Sequence, residues 1–251
     1  RLGPAAWPAL REAVRDALTS GPLTQRELAD VVVHDARFSH LYAALTDKSC
    51  TLLKPLAWQG DLSIAPSRDG ALTLQSPTAV SGWSGIPELE DAGPRAIRAY
   101  LSGYGPASVA HLQYWLGEGL SAGRTRITSW IRSMLADEIA TVNVDGDELL
   151  CLAEHVDELT SQRVSPIVRL LTGLDPWIRG PGTADQQVVP ADRRSEITRG
   201  ANPVLVDGRV AGTWKFSSNV LTAGAIPRED LDVERAKLAQ VLGRDIDLND
   251  G

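Results

Sequence analysis

The sequence predicts an α+β protein: helical patterns ending in a β-hairpin occur twice, before a β-rich C-terminal module with a terminal helix. Three observations carry this. A segment near the N-terminus recurs in the middle of the chain. After each copy the apolar period switches from helical to alternating. The last third is dominated by short alternating runs separated by Gly, Pro and Asp turns.

The repeat is short but ordered. Residues 15–33 read RDALTSGPLTQRELADVVV and residues 98–117 read RAYLSGYGPASVAHLQYWLG. Gly21, Pro22, Leu23, Thr24 and Leu28 fall on Gly105, Pro106, Ala107, Ser108 and Leu112 at one constant offset. In the first copy a helix over 9–18 places Leu10, Val14, Ala17 and Leu18 on one side. Gly21-Pro22 ends it. Thr24 and Glu27 have the spacing of a capping box, which starts a second helix. A third helix is expected near Lys48 to Trp58, with Leu52, Leu53 and Leu56 inward and Pro55 kinking or splitting it. Alternation at 62–65 and 72–74 around Ser67-Arg68-Asp69-Gly70 then predicts a hairpin.

The second copy repeats the order. Helices are expected near 94–102, 107–116 and 124–136, followed by a hairpin over 139–144 and 148–152 turned at Asp145-Gly146. Three helices closed by a hairpin is the winged-helix (helix-turn-helix) plan, so the expectation is two tandem winged-helix repeats. They occupy 1–80 and 94–160. A linker at 81–93 holds Gly82, Gly85, Pro87 and Gly93, and the C-terminal module spans 161–251. In that module a strand over 168–174 leads into Asp175-Pro176-Trp177, and 180–187 reads as a loop. A hairpin over 203–206 and 209–216 turns at Asp207-Gly208. A strand over 220–226, then Pro227 and Asp230, lead to a helix over 231–242 ended by Gly243.

Composition bounds the function classes. At 251 residues the chain has room for two or three small domains. No run approaches the length of a membrane span, and no signal peptide opens the chain. Cys50 and Cys151 lack Cys or His partners at metal-ligand spacing, which predicts buried thiols in a reducing, cytoplasmic setting. The chain begins with Arg1 directly before a helix-like stretch, as a processed or truncated chain would. The net charge of −7 counts against a protein that coats nucleic acid non-specifically. It allows an acidic body with one local basic groove.

Four segments carry a resemblance. They are Gly21-Pro22-Leu23-Thr24-Gln25-Arg26-Glu27-Leu28, Tyr104-Gly105-Pro106-Ala107-Ser108, Leu170-Leu171-Thr172-Gly173-Leu174-Asp175-Pro176, and Val206-Asp207-Gly208-Arg209-Val210-Ala211-Gly212-Thr213-Trp214. In order and spacing they resemble the bacterial winged-helix DNA-binding family that includes the AlkZ and YcaQ DNA glycosylases. The resemblance covers almost the whole chain. It implies double-stranded DNA as partner, with neither membrane nor small-molecule cofactor, and DNA repair by excision of alkylated or crosslinked bases. The family's glycosylases carry a catalytic Gln-x-Gln or Gln-x-Asp in a further N-terminal region. No Gln-x-Gln occurs here, and the nearest pair is Gln186-Gln187. The resemblance therefore implies catalytic residues upstream of Arg1, and no base release by this chain alone. Whether the protein is an enzyme stays open at this point. A transcriptional regulator using the same repeats without chemistry, or a protein-interaction scaffold, fits the same pattern.

The residues themselves point to a DNA-reading surface. On the third helix of the second repeat Ile127, Trp130, Ile131 and Met134 share the core side. Arg124, Thr125, Arg126, Ser129, Arg132 and Ser133 then face outward, as phosphate and base-edge contacts require, although a merely solvated face reads the same way. In the first repeat Lys48, Thr51 and Lys54 take the same part, and Arg68 sits at the tip of its wing. The second wing carries Asp145 and Asp147 and would repel phosphate. Arg209 and Lys215 mark the C-terminal hairpin, where Trp214 is expected in the core. His34, His40, His111 and His155 are scattered, so no metal site is expected. Glu154, Asp157 and Glu158 read as a solvated acidic run.

Overall fold

A computed structural model describes residues 3–118, 122–135, 137–162, 167–224, 226 and 228–250. Its contacts divide the chain into two compact units, Arg1–Glu88 and Leu89–Gly251. Helices and strands are mixed in both, as an α+β chain requires.

In the first unit α1 (Trp7–Ala17) buries Leu10 and Val14. The chain turns at Gly21 and enters β1 (Leu23–Thr24), then α2 (Gln25–Val32). Thr24 caps α2 as its spacing predicts. Its side chain accepts from the Glu27 amide at 3.3 Å, and the Glu27 carboxylate accepts from the Thr24 amide at 2.7 Å. The expected third helix is replaced by two short ones, α3 (Tyr42–Leu45) and α4 (Leu53–Trp58). Pro55 explains where α4 begins: it is third in the helix, where its missing N–H has no intrahelical partner to lose. β2 (Ser63–Arg68) and β3 (Ala71–Gln75) form the hairpin, with Asp69 and Gly70 both at positive φ as a type I′ turn needs. The sheet order is β1-β3-β2. Leu10, Val14, Leu28, Phe38, Leu45, Leu56 and Leu74 form the core beneath it.

The second unit opens with α5 (Leu89–Tyr104), five residues inside the stretch read as linker. Pro94 interrupts its periodic pattern, which is why the sequence reading starts it late. α6 (Val109–Leu112) continues into one π-turn at Gln113–Glu118, and α7 (Arg124–Met134) follows. The expected end of that helix, Ala136, lies outside the described residues. β4 (Ile139–Val144) and β5 (Asp147–Leu152) pair around Asp145-Gly146, and α8 (Val156–Ser161) follows. Ala107 bridges Leu150 as Leu23 pairs with Leu74 in the first unit. Ser108 caps α6 as Thr24 caps α2, with His111 in the place of Glu27.

The C-terminal part is a five-stranded sheet in the order β10-β9-β8-β7-β6. It comprises β6 (Val168–Leu170), β7 (Asn202–Val206), β8 (Arg209–Ser217), β9 (Val220–Ala223) and β10 (Asp247–Asp250). The last strand pairs parallel to β9 and was not expected from the sequence. Asp175-Pro176-Trp177, read as a turn, begins the short helix α9 (Pro176–Arg179), with the Asp175 side chain capping the Trp177 amide at 2.9 Å. α10 (Arg194–Thr198) follows, then α11 (Arg228–Leu242), which Gly243 ends at φ 64. Glu234 ties α11 to the sheet, accepting from the Leu170 amide and pairing with Arg169 and Lys237. Of the expected lead-in residues, Pro227 lies outside the described residues, as does Ala225 in the expected strand.

Candidate functional site

The outward face of α7 is formed as its periodicity predicts. Ile127, Trp130, Ile131 and Met134 are buried, and Arg124, Thr125, Arg126, Ser129, Arg132 and Ser133 are exposed. The anchor is Trp130. Its ring lies so close to Gly93 that a Cβ there would sit 2.4 Å from it. Its Nε1 donates to Glu90 Oε2 at 2.7 Å. The other oxygen of Glu90 reaches Arg126 Nε at 3.4 Å. Arg126 is thus held by a carboxylate at the start of α5. Among the described residues Arg124 and Arg132 have no ion pair.

The remaining candidates stand on other elements, each described within its own unit. Lys48 lies in a turn rather than a helix, because the chain between α3 and α4 is irregular there. Lys54 is exposed on α4. Arg68 ends β2 and pairs with Glu27, so the tip of this hairpin is Asp69-Gly70. Cys151 is buried, but Cys50 only partly. Lys215 is exposed on β8, whereas Trp214 is half-buried and donates to the Leu171 carbonyl at 2.6 Å.

Arg209 belongs to a second site, a cleft of about 870 Å³ in the second unit. Two of the four resemblance-bearing segments contribute to its lining, through Tyr104-Gly105-Pro106 with Ser108 and through Arg209, and Trp177, directly after a third, joins them. The hairpin β4–β5 also lines it, through Val144, Asp147, Glu148 and Leu149, as do His111, Asp185, Gln186 and Gln187. Capping fixes part of this geometry. His111 Nδ1 faces the Ser108 amide at 3.4 Å, so the ring proton belongs on Nε2, which lies 3.5 Å from Asp185 Oδ2. Asp185 Oδ1 accepts from the Gln187 amide at 2.8 Å, and Arg209 donates to the Gln186 carbonyl at 3.2 Å. Below the cleft Tyr100 donates to the Gly180 carbonyl at 3.0 Å. Burial first, then the negative charge of Asp185, push its hydroxyl well above the usual tyrosine range. Sequence reasoning misses this cleft because its lining comes from segments far apart in the chain. The signal available was that the segments at 104–108 and 206–214 contain turn residues, Gly105-Pro106 and Asp207-Gly208, at loops that can meet.

The chain does contain one Gln-x-Asp, Gln59-Gly60-Asp61, which a search for Gln-x-Gln passes by. It is structural. Asp61 is 1% exposed and accepts from both Arg11 Nε at 2.6 Å and Arg15 at 2.7 Å. Gln59 accepts from the Trp7 indole at 3.0 Å. A carboxylate held by two guanidiniums fixes α1 against the strand entry and is poorly placed to activate water. Among the described residues no group of His, Cys, Asp and Glu has the makings of a metal site, and no helix is long and apolar enough to cross a membrane.

Comparison with known proteins follows the same lines. The Streptomyces sahachiroi interstrand DNA cross-link repair glycosylase is 35% identical over 238 residues, covering 92% of this chain and 62% of the relative. The structure of the Streptomyces sahachiroi DNA glycosylase AlkZ superposes with a TM-score of 0.86 at 31% identity, covering 100% of this chain and 70% of that one. The chain thus spans less than two thirds of the curated relative's length. The expectation that catalytic residues lie upstream of Arg1 finds no support in these matches. The family described as DNA glycosylase AlkZ-like matches residues 1–244, and the chain belongs to that family.

Proposed function

We propose that this chain binds double-stranded DNA as part of a DNA-repair glycosylase acting on alkylated or crosslinked bases in the cytoplasm. Its two helix–hairpin copies serve as winged helices. The reaction is hydrolysis of the bond between the sugar C1′ and the base: water oxygen bonds to C1′, the base nitrogen leaves with the electron pair, and water loses a proton. The relative's cross-link repair activity supports the substrate class. The topology supports the winged-helix reading, since in each copy the short stretch leading into the second helix pairs with the hairpin's second strand, Leu23 with Leu74 and Ala107 with Leu150.

The observation that carries DNA binding is the face of α7. Arg124 and Arg132, which have no ion pair among the described residues, share it with the hydroxyls of Thr125 and Ser129, on a helix whose opposite side is buried. Such a face offers phosphate contacts without disturbing the core. Arg124→Ala with Arg132→Ala is expected to weaken binding by a similar factor on every duplex and to flatten the salt dependence by about two units of slope, one per lost contact. Fluorescence anisotropy at several salt concentrations reads both. Unchanged affinity and slope in the double variant would reduce this helix to a solvated face.

A further inference from the structure

We infer that a smaller pocket of the second unit, about 150 Å³ in volume, is a binding site for a single phosphate group. Size narrows the ligand first. A water takes up about 30 Å³ in the liquid, so the pocket has room for about five. The organic ligands that fill sites of roughly 300–1,000 Å³ are too large for it, and an ion of phosphate's size is not.

The lining then selects the charge. Arg179 of α9 is the one charged residue among the described lining residues. Its guanidinium, a fork of N–H donors, makes no hydrogen bond or ion pair with a described residue. The Tyr114 hydroxyl, from the π-turn, has no partner among the described residues either. Gly182, at φ 89, lets the Tyr114 ring pack on the backbone, since a Cβ there would lie 3.0 Å from it. The hydroxyl oxygens of Thr183 and of Thr198 on α10 lie 2.8 Å apart. One of their hydrogens makes that bond, and the other has no acceptor among the described residues. The buried Ile178 and Ile197 also line the pocket, and apolar walls strengthen the pull of a charge on an ion.

Carboxylates on the same elements are engaged elsewhere. Asp185 lies 3.5 Å from His111 and lines the larger cleft, Asp192 and Glu196 pair with Arg193, and Asp175 caps the Trp177 amide. Glu118, which ends the π-turn, is exposed and outside the lining. A cation would meet the Arg179 charge and no carboxylate. A planar carboxylate offers two oxygens to donors that come from three elements, whereas a tetrahedral phosphate has one for each.

The inference uses neither the face of α7 nor the larger cleft. NMR titration of the isotope-labelled whole chain tests it, with inorganic phosphate, acetate and chloride as probes at equal ionic strength. Phosphate is expected to give saturable shifts at the Thr183 and Thr198 amides and the Arg179 Nε, with a Kd in the millimolar range natural to so small a ligand. Acetate should bind at least about fivefold more weakly, the worth of one neutral hydrogen bond. Arg179→Ala, at an exposed position, should weaken phosphate at least about tenfold, the worth of a charge-assisted one. Tyr114→Phe should cost about fivefold, and Arg124→Ala with Arg132→Ala should cost nothing. A duplex without terminal phosphates then separates two sources. If the phosphate belongs to a DNA backbone, the duplex shifts the same amides and Arg179→Ala lowers its salt slope by about one unit. If it is a free phosphate, duplex binding ignores that variant. Either result leaves the site standing and assigns its source. Shifts that acetate or chloride matches, that fail to saturate, or that survive Arg179→Ala unchanged overturn it.

Discussion

In the first copy the place of a third helix is taken by α3 and α4, four and six residues long; in the second it is taken by the eleven-residue α7. The same frame therefore presents two different surfaces. Pro55 limits α4, and the chain before it is turns, so Lys48 and Lys54 share no continuous face. α7 has no such break, and its core stripe holds a full row of polar residues outward. The hairpins differ too. The first ties its arginine back to Glu27, and the second turns Asp147 and Glu148 into a cleft. The comparison shows how similar local orders of elements can differ in what they present: the first has no continuous polar helix face and ties Arg68 to Glu27, and the second has the exposed face of α7.

The largest test of that contrast is in the cores. Gly93 exists because Trp130 fills the space a side chain would take. Gly93→Ala should cost the second unit about 3 kcal/mol by overpacking, since helix backbone and a buried indole must move apart. In the first copy the buried Leu10 stands one turn before Val14, as Gly93 stands one turn before Ile97. Leu10→Ala should cost a comparable amount, about 3 kcal/mol, but by leaving a cavity. Urea denaturation gives both numbers. A Gly93→Ala change within about 0.5 kcal/mol of wild type would mean that Trp130 has room to yield.

Next in size is the difference in DNA contact. Replacing Lys48 and Lys54 by Ala is expected to change the salt slope by less than about one unit, against about two for Arg124 and Arg132. Glu90→Gln should raise affinity severalfold. It releases Arg126 and removes an anion beside the phosphate path while still accepting from the Trp130 indole. Equal losses from the two lysines and the two arginines would show that the copies share the load.

What was legible in the sequence was what local chemistry decides. The Thr24–Glu27 box, the α7 core side and the three Asp-Gly hairpin turns depend on neighbours within a few residues, and they stand where their spacing puts them. The start of α5 was illegible because Pro94 and Gly93 read as breakers, and only Trp130 makes that glycine useful. Lys48 was misplaced because nothing near it announces that the helix starts five residues later. The cleft and the parallel strand β10 depend on pairings remote in sequence, which no period can reveal.

A smaller effect separates the two caps. Thr24→Ala should cost about 1 kcal/mol, the usual worth of a good N-cap. Ser108→Ala should cost roughly half as much. The reciprocal bond it supports is longer, 3.4 Å from the Ser108 amide to His111 against 2.7 Å from Thr24 to Glu27. Amide hydrogen exchange in the first turns of α2 and α6 measures each locally. A larger loss at Ser108 would reverse this ranking.

The smallest expected effect is in acid, and its sign is fixed by Glu27. The Thr24 amide and hydroxyl, and then Arg68, hold the Glu27 carboxyl below its ordinary value of 4.5. The folded state therefore prefers the ionised form more strongly than the unfolded chain does. Its contribution is complete above 4.5 and is lost as the pH falls through the lowered folded value. Below that point both states are protonated and nothing further is lost. Asp35 and Asp47 of the same unit are also held low, by Arg37 and by Ser49, and they add in the same direction. Glu27→Gln keeps an acceptor for the Thr24 amide but does not titrate. It should remove Glu27's share of the acid loss and leave that of the two aspartates. Exchange of the Gln25, Arg26 and Glu27 amides, followed from neutral pH down through the carboxylate range and corrected for intrinsic rates, should show wild type opening as the acid rises and the variant changing less. Identical profiles would mean that the cap is held by the Thr24 hydroxyl alone, and that the two copies do not differ here.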